Sequence, residues 1–230
     1  MALPDVSRQL KLPKSSAHKI LITLLREEFV IRSNRSGRYS LGHKLFALAN
    51  QALDGLRIRE LAVQPMRQLA QLTQLTVHLA ILENFEAILI AKIDPPGVGS
   101  LSTWIGRRME VHCTGVGKAL IAFVPEAELD QLLASRVFAQ HNDNTIVRAK
   151  RLQSELESVR RNGYSIDDEE DEIGFRCLGA PILASGGQLL GAISVAGTVL
   201  KVNDENRRDL VTKLTRAAAL IARAMEDPPA

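Results

Sequence analysis

The 230-residue chain is 46% apolar and 24% charged, which suits a globular protein of two domains and excludes a disordered or fibrous one. Its two cysteines, Cys113 and Cys177, exclude a disulfide scaffold and fit a reducing cytoplasm; neither a membrane-spanning apolar run nor a secretion leader is expected. The net charge of +3 is unevenly spread: residues 1–50 hold nine Lys/Arg against three acids, a net +6, so a basic segment precedes an acidic body.

In chain order, a short helix is expected from Pro4 to Leu10, then a turn at Lys11-Leu12-Pro13. A second helix is predicted over 14–26, where Ala17, Ile20, Leu21, Leu24 and Leu25 fall at i, i+3, i+4, i+7 and i+8. Pro13 stands just ahead of it, where a missing N–H costs nothing. The opposite face carries Ser15, Ser16, Lys19, Ile22, Thr23 and Arg26, with Lys14 at the start and His18 at the edge. Two helices joined by a tight turn, the second led by small, polar and basic residues, form a helix-turn-helix pattern. In that pattern Lys14, Ser15, Ser16, His18 and Lys19 reach base edges and phosphates of double-stranded DNA. Residues 29–41 follow as two strand-like runs around Ser33–Gly37, with Arg35 near the tip and Arg38 beside it. A basic hairpin placed there reads as a wing against the DNA backbone or minor groove. Each feature alone also fits an ordinary solvated surface; their order points to a winged helix-turn-helix over 1–41.

A linker helix is expected over 42–56, from the stripe of Leu41, Leu45, Leu48 and Ala52. Residues 57–230 alternate helices and strands. Helices are expected over 57–73, 115–123, 126–134 and 148–162, with a last one capped by Asn203. Strands are expected over 76–82, 87–93, 101–105, 164–166, 179–183 and 189–196, with a loop at 94–97. Tight turns at Glu83-Asn84 and Ser185–Gly187 make the sheet mainly antiparallel and the fold class α+β.

Three segments of this larger domain carry candidate chemistry. In the first, Thr114 can cap a helix and leave the N–H groups of Gly115 to Gly117 free for an anion. The same glycines can serve packing alone. The second holds six consecutive acids, Asp167 to Glu172, which read as a solvated loop; no metal-ligand spacing with His or Cys stands out. Asp167 follows a strand-like run and can point inward, and Cys177 fits a small buried hydrophobe. In the third, Ser194 and Ala196 share one face of a strand.

The segments Leu12-Pro-Lys-Ser-Ser-Ala-His-Lys-Ile-Leu and Gly37-Arg-Tyr-Ser-Leu-Gly42 resemble the recognition helix and wing of the IclR family of bacterial transcription regulators. The likeness continues through Val77-His-Leu-Ala, Gly106-Arg-Arg, Thr114-Gly-Val-Gly-Lys-Ala119, Gly163-Tyr-Ser-Ile-Asp-Asp-Glu-Glu170, Arg176-Cys177 and Ser194-Val-Ala-Gly197. It implies a curved sheet like that of GAF and PAS sensor domains, a homodimer that can pair into tetramers, and a small organic-acid effector without a cofactor. It also implies that the effector meets the N–H groups of Gly115 and Val116, the side chains of Asp167, Cys177 and Ser194, and an apolar contact at Phe175. Family members often carry serine where Ala196 stands, so a larger or less polar acid, an aromatic one for example, is expected, with Leu101 and Trp104 as walls. The chain departs from the family in having Lys11 where the turn often holds glycine. It also opens almost directly on the first helix of the motif, which implies a truncation or a start codon assigned too far downstream. The rival reading is a thiol-dependent enzyme on a GAF-like fold, using Cys113 or Cys177. No triad, phosphate loop or zinc-protease helix accompanies either thiol, and the basic N-terminal module would lack a purpose, so no enzyme is expected. A sensor that binds ligand but no DNA is the third reading.

Overall fold

The computed structural model describes residues 1–97 and 101–226, and the chain divides into two compact units, Met1–Leu56 and Arg57–Ala230. Residues 98–100 and 227–230 of the expected 57–230 domain lie outside the described residues.

The first unit runs α1 (Leu3–Gln9), α2 (Lys14–Arg26), β1 (Val30–Arg32), β2 (Tyr39–Leu41) and α3 (Lys44–Asp54). The turn between α1 and α2 passes through Lys11 at φ 52°, the left-handed conformation that glycine adopts most cheaply. β1 and β2 pair antiparallel, with Val30 opposite Leu41 and Arg32 opposite Tyr39. Among the described residues, the apolar side chains buried in this unit are Ala17, Leu21 and Tyr39. Ile20, expected on the inward stripe of α2, is 47% exposed. Leu24 and Leu25 are half-buried, so the stripe that α1 and the hairpin cover is narrower than the apolar pattern.

The second unit runs α4 (Arg57–Thr73), β3 (Thr76–Glu83), β4 (Glu86–Ile93), β5 (Arg108–Met109), α5 (Gly115–Ile121), α6 (Glu126–Ser135), α7 (Ala149–Asn162), β6 (Ser165–Asp168), β7 (Phe175–Leu183), β8 (Leu189–Thr198) and α8 (Arg207–Glu226). Among the described residues these strands form a six-stranded sheet of order β5-β4-β3-β8-β7-β6, antiparallel throughout. The β3–β4 turn takes Asn84 and Phe85 through left-handed φ of 50° and 59°, the hairpin geometry whose twist matches that of the strands. Helices α4 and α8 pack on each other and on the sheet, while α5 packs on β3, β6, β7 and β8. Both faces of β8 are therefore covered, and its residues Gly191–Gly197 are buried without alternation.

The structure corrects several expected boundaries. Leu101–Ile105 is not a strand. The segment turns instead, and β4 is engaged further on, where Gly106 N–H donates to the Leu89 carbonyl and Leu89 N–H to that of Arg107. β7 starts at Phe175 rather than Gly179, because its first half is paired on both edges: Cys177 faces Asp167 on β6 and Ala196 on β8. Asn203 does cap a turn, its Oδ1 accepting the N–H groups of Glu205 and Asn206 at 3.1 Å, but α8 begins only at Arg207.

Candidate functional site

In the first unit, Lys14, Ser15, His18 and Lys19 lie on the exposed side of α2, and Ser16 is half-buried. Arg35 sits in the hairpin turn and Arg38 just before β2, both exposed. Arg32 is turned back onto the hairpin: its Nε donates to the Gly37 carbonyl at 3.3 Å and its guanidinium covers the Tyr39 ring at 5.6 Å. The outward charges at the tip are thus those of Arg35 and Arg38, borne on a turn that Gly37, at φ 64°, helps to close.

In the second unit a cavity of about 70 Å³ opens between the sheet and the start of α5. Leu101, Gly115, Val116, Asp167, Phe175, Cys177, Ser194 and Ala196, all named from the sequence, line it. Trp104 does not. It is 62% exposed and its ring is covered by the Arg107 guanidinium at 5.3 Å, because the 101–107 segment turns instead of continuing as a strand. The register explains the convergence: Asp167, Cys177 and Ala196 stand in one row across β6, β7 and β8, while Gly179, Ser194 and His78 form the next row into β3.

The glycines of the Thr114–Lys118 segment answer mainly to packing. The Thr114 hydroxyl accepts the Gly117 N–H at 3.1 Å, as expected of a cap. A Cβ on Gly117 would come within 2.5 Å of the Glu110 carbonyl, and one on Gly179 within 2.2 Å of the Gly115 carbonyl. Gly179 lets α5 sit close against β7 and put Gly115 and Val116 on the cavity wall, while Gly117 lets the preceding Glu110–Thr114 turn fold against the helix start.

The acidic run is only in part the solvated loop expected of it: Asp168 and Glu172 are exposed, but two of its members are not. Asp167 and Glu170 are 3% and 5% exposed. The N–H groups of Glu170 and Asp171 both donate to Asp167 Oδ1, at 2.9 and 3.4 Å. Burial, with the Glu170 charge adding to it, pushes the Asp167 carboxyl up to about 7 against those hydrogen bonds and the Lys118 charge. Glu170 pairs with Lys118, a fully buried lysine on α5, at 2.5 Å; Glu155 on α7 takes the same ammonium at 3.2 Å. Burial also pushes both thiols up, helped by the Asp171 and Asp167 charges near Cys113 and by Asp167 at Cys177. A thiol nucleophile needs the opposite shift.

Several residues of the cavity were missed in the sequence. Arg107 brings a cation to its wall and donates to the Ser102 carbonyl at 2.5 Å; it was legible only within Gly106-Arg-Arg. His78 faces the cavity from β3 and meets the Thr103 hydroxyl at 2.9 Å. Burial, then the Lys92 charge, lowers the His78 ring to about 4, so it is neutral near pH 7. The Lys92 ammonium in turn holds the Leu101 and Thr103 carbonyls at 2.8 and 3.1 Å, fastening the 101–107 segment over the cavity.

Comparison with known proteins gives a consistent result. A family described as IclR helix-turn-helix domain matches residues 1–33, and one described as Bacterial transcriptional regulator IclR C-terminal matches residues 50–223. The chain is 31% identical over 228 residues to the HTH-type transcriptional regulator XynR of Escherichia coli, covering 99% of this chain and 90% of that one. It is also similar to the crystal structure of the Thermotoga maritima IclR, with a TM-score of 0.82 and 29% identity over 99% of this chain and 92% of that one. An IclR homologue from Microbacterium hydrocarbonoxydans complexed with 4-hydroxybenzoate shares the fold at a TM-score of 0.85 and 22% identity, covering 98% of this chain and 91% of that one.

Proposed function

The chain belongs to the IclR family of bacterial transcription regulators, with a DNA-binding helix-turn-helix and an effector-binding C-terminal domain, and from that premise we propose that its effector is an aromatic monocarboxylic acid. One observation carries the proposal: the cavity is lined both by polar groups, with Arg107 beside Asp167, Asp171, Glu172 and Ser194, and by the apolar side chains of Leu101, Met109, Val116, Phe175 and Ala196. In this reading Arg107, a protonated Asp167 and the N–H groups of Gly115 and Val116 receive the carboxylate. Cys177 and Ser194 flank it, and the apolar Ala196 and Phe175 meet the ring. The homologue crystallised with 4-hydroxybenzoate supports a ligand of that class.

On the DNA side, Lys14, Ser15, Ser16, His18 and Lys19 enter the major groove, and Arg35 and Arg38 follow the backbone beside it. A two-fold operator is read by a homodimer, and the ligand acts by favouring one spacing of the two reading heads. The test is thermal shift of the full chain against a panel of acids, followed by affinity for a duplex selected from a random library, with and without the acids that bind. Benzoate-class acids are expected to raise the melting temperature and change duplex affinity. The effector proposal fails if glyoxylate-sized acids bind tightly and aromatic ones do not. Duplex affinity is further expected to fall steeply with salt, as contacts to several phosphates require.

A further inference from the structure

Just before Thr114 the chain carries a second cluster whose chemistry effector binding does not use. His112 is fully buried, and its Nε2 lies 2.9 Å from the Ala139 carbonyl. A carbonyl only accepts, so Nε2 holds the ring proton and donates it, leaving Nδ1 as a bare lone pair. That Nδ1 is buried without a hydrogen-bond partner. The polar atom facing it is another acceptor, Glu110 Oε2 at 3.5 Å, itself 3.6 Å from the Arg136 guanidinium. A buried nitrogen lone pair that faces another acceptor is costly unless something positive lies between them. Cys113, fully buried, and His141, exposed and stacked on His112 at a centroid distance of 6.3 Å, complete the cluster. The ligand atoms of His112, Cys113 and His141 all lie within 4.8 Å of one another.

We propose that His112, Cys113 and His141 form a divalent metal site that water completes as fourth ligand, and that zinc is the metal they fit. One thiolate and two imidazoles, with a water in the fourth position, are a zinc donor set. Ligand atoms of a tetrahedral zinc stand roughly 3.3 to 3.8 Å apart, so the cluster has to contract by about 1 Å. Its exposed member, His141, can supply that movement. The Ala139 carbonyl orients the imidazole as outer partners of metal-bound histidines do. Binding displaces the Cys113 thiol proton to solvent, leaving a zinc thiolate, so uptake releases one proton and strengthens with pH. Occupied, the site would tie the Glu110–Cys113 turn, which leads directly into α5, to the 138–141 segment.

Cobalt(II) serves as a spectroscopic stand-in for zinc in a titration of the purified full chain. One ion per chain is expected to bind, with a thiolate-to-cobalt charge-transfer band that stoichiometric zinc abolishes. Cys113→Ser is expected to remove the band and Cys177→Ser to keep it. His141→Gln, at an exposed position where folding is not at risk, is expected to weaken affinity at least tenfold. No stoichiometric binding, a band that survives Cys113→Ser, a band that vanishes with Cys177→Ser, or His141→Gln binding as tightly as the parent chain would each overturn the proposal.

Discussion

Asp167 sits on the cavity wall with its carboxyl pushed up to about 7 by burial, which lets an acid act as a hydrogen-bond donor at neutral pH. The shift also sets a direction for stability. The native state holds this proton at pH values where the unfolded chain, near its usual 3.8, has lost it. The stabilisation is therefore complete below about pH 4 and lost as pH rises towards 7, with an upper size of about 4 kcal/mol for such a shift. Ligand affinity follows the same proton. If a protonated Asp167 receives the carboxylate, affinity for a benzoate-class acid falls roughly tenfold per pH unit above about 7. Asp167→Asn, which always presents an N–H, is expected to flatten that profile, as calorimetric titration across pH 6–9 would reveal. A wild-type profile as flat as that of the variant would remove Asp167 from the contact. Asp167 was legible as a candidate because it follows a strand-like run. That its neighbour Glu170 is buried was not, since its partner Lys118 lies 52 residues earlier.

At the scale of elements, α5 is the part most tightly constrained by its neighbours. All of its residues are buried, and Lys118 holds Glu170 of the acidic run and Glu155 of α7 to it. Pairing of this kind adds little net stability, but removing one partner strands buried charge. Lys118→Met is expected to cost roughly 3–5 kcal/mol, and Lys118→Met with Glu170→Gln to recover part of that, because the stranded carboxylate is then gone. Denaturant unfolding measures both. A single variant within about 0.5 kcal/mol of the parent would mean that water, not lysine, compensates Glu170. The helix start and its glycines could be read from local sequence. Why Gly117 there and Gly179 on β7 are needed could not, because a Cβ would meet the Glu110 carbonyl at the first and, across the α5–β7 contact, the Gly115 carbonyl at the second. Trp104 was misplaced on the same ground: a strand pattern over 101–105 ignores that β4 pairs with Gly106 and Arg107 instead.

Over the whole chain the two units differ in how much they bury. The larger has a continuous core on both faces of its sheet, whereas the first, among described residues, buries Ala17, Leu21 and Tyr39 and leaves Leu41 and Phe46 more than 70% exposed. A small core is a marginal one. Calorimetry of the full chain is expected to show two transitions, the lower from Met1–Leu56. Lys11→Gly, by relieving the left-handed lysine, should raise that lower transition by about 0.5–1 kcal/mol and leave the upper one in place. A single transition, or a shift in the upper one, would contradict this division of stability. Helical and strand periodicity, turn residues and the basic bias of the first fifty positions are local properties, and they were enough to delimit most elements and to indicate a winged helix-turn-helix ahead of a sensor-like sheet. Only the folded chain decided which acids are buried, that Arg107 and His78 reach the cavity while Trp104 does not, and that His141 joins His112 and Cys113. Those facts depend on strand register and on contacts between residues tens of positions apart, where desolvation and charge pairing are properties of the assembled core and of no single segment.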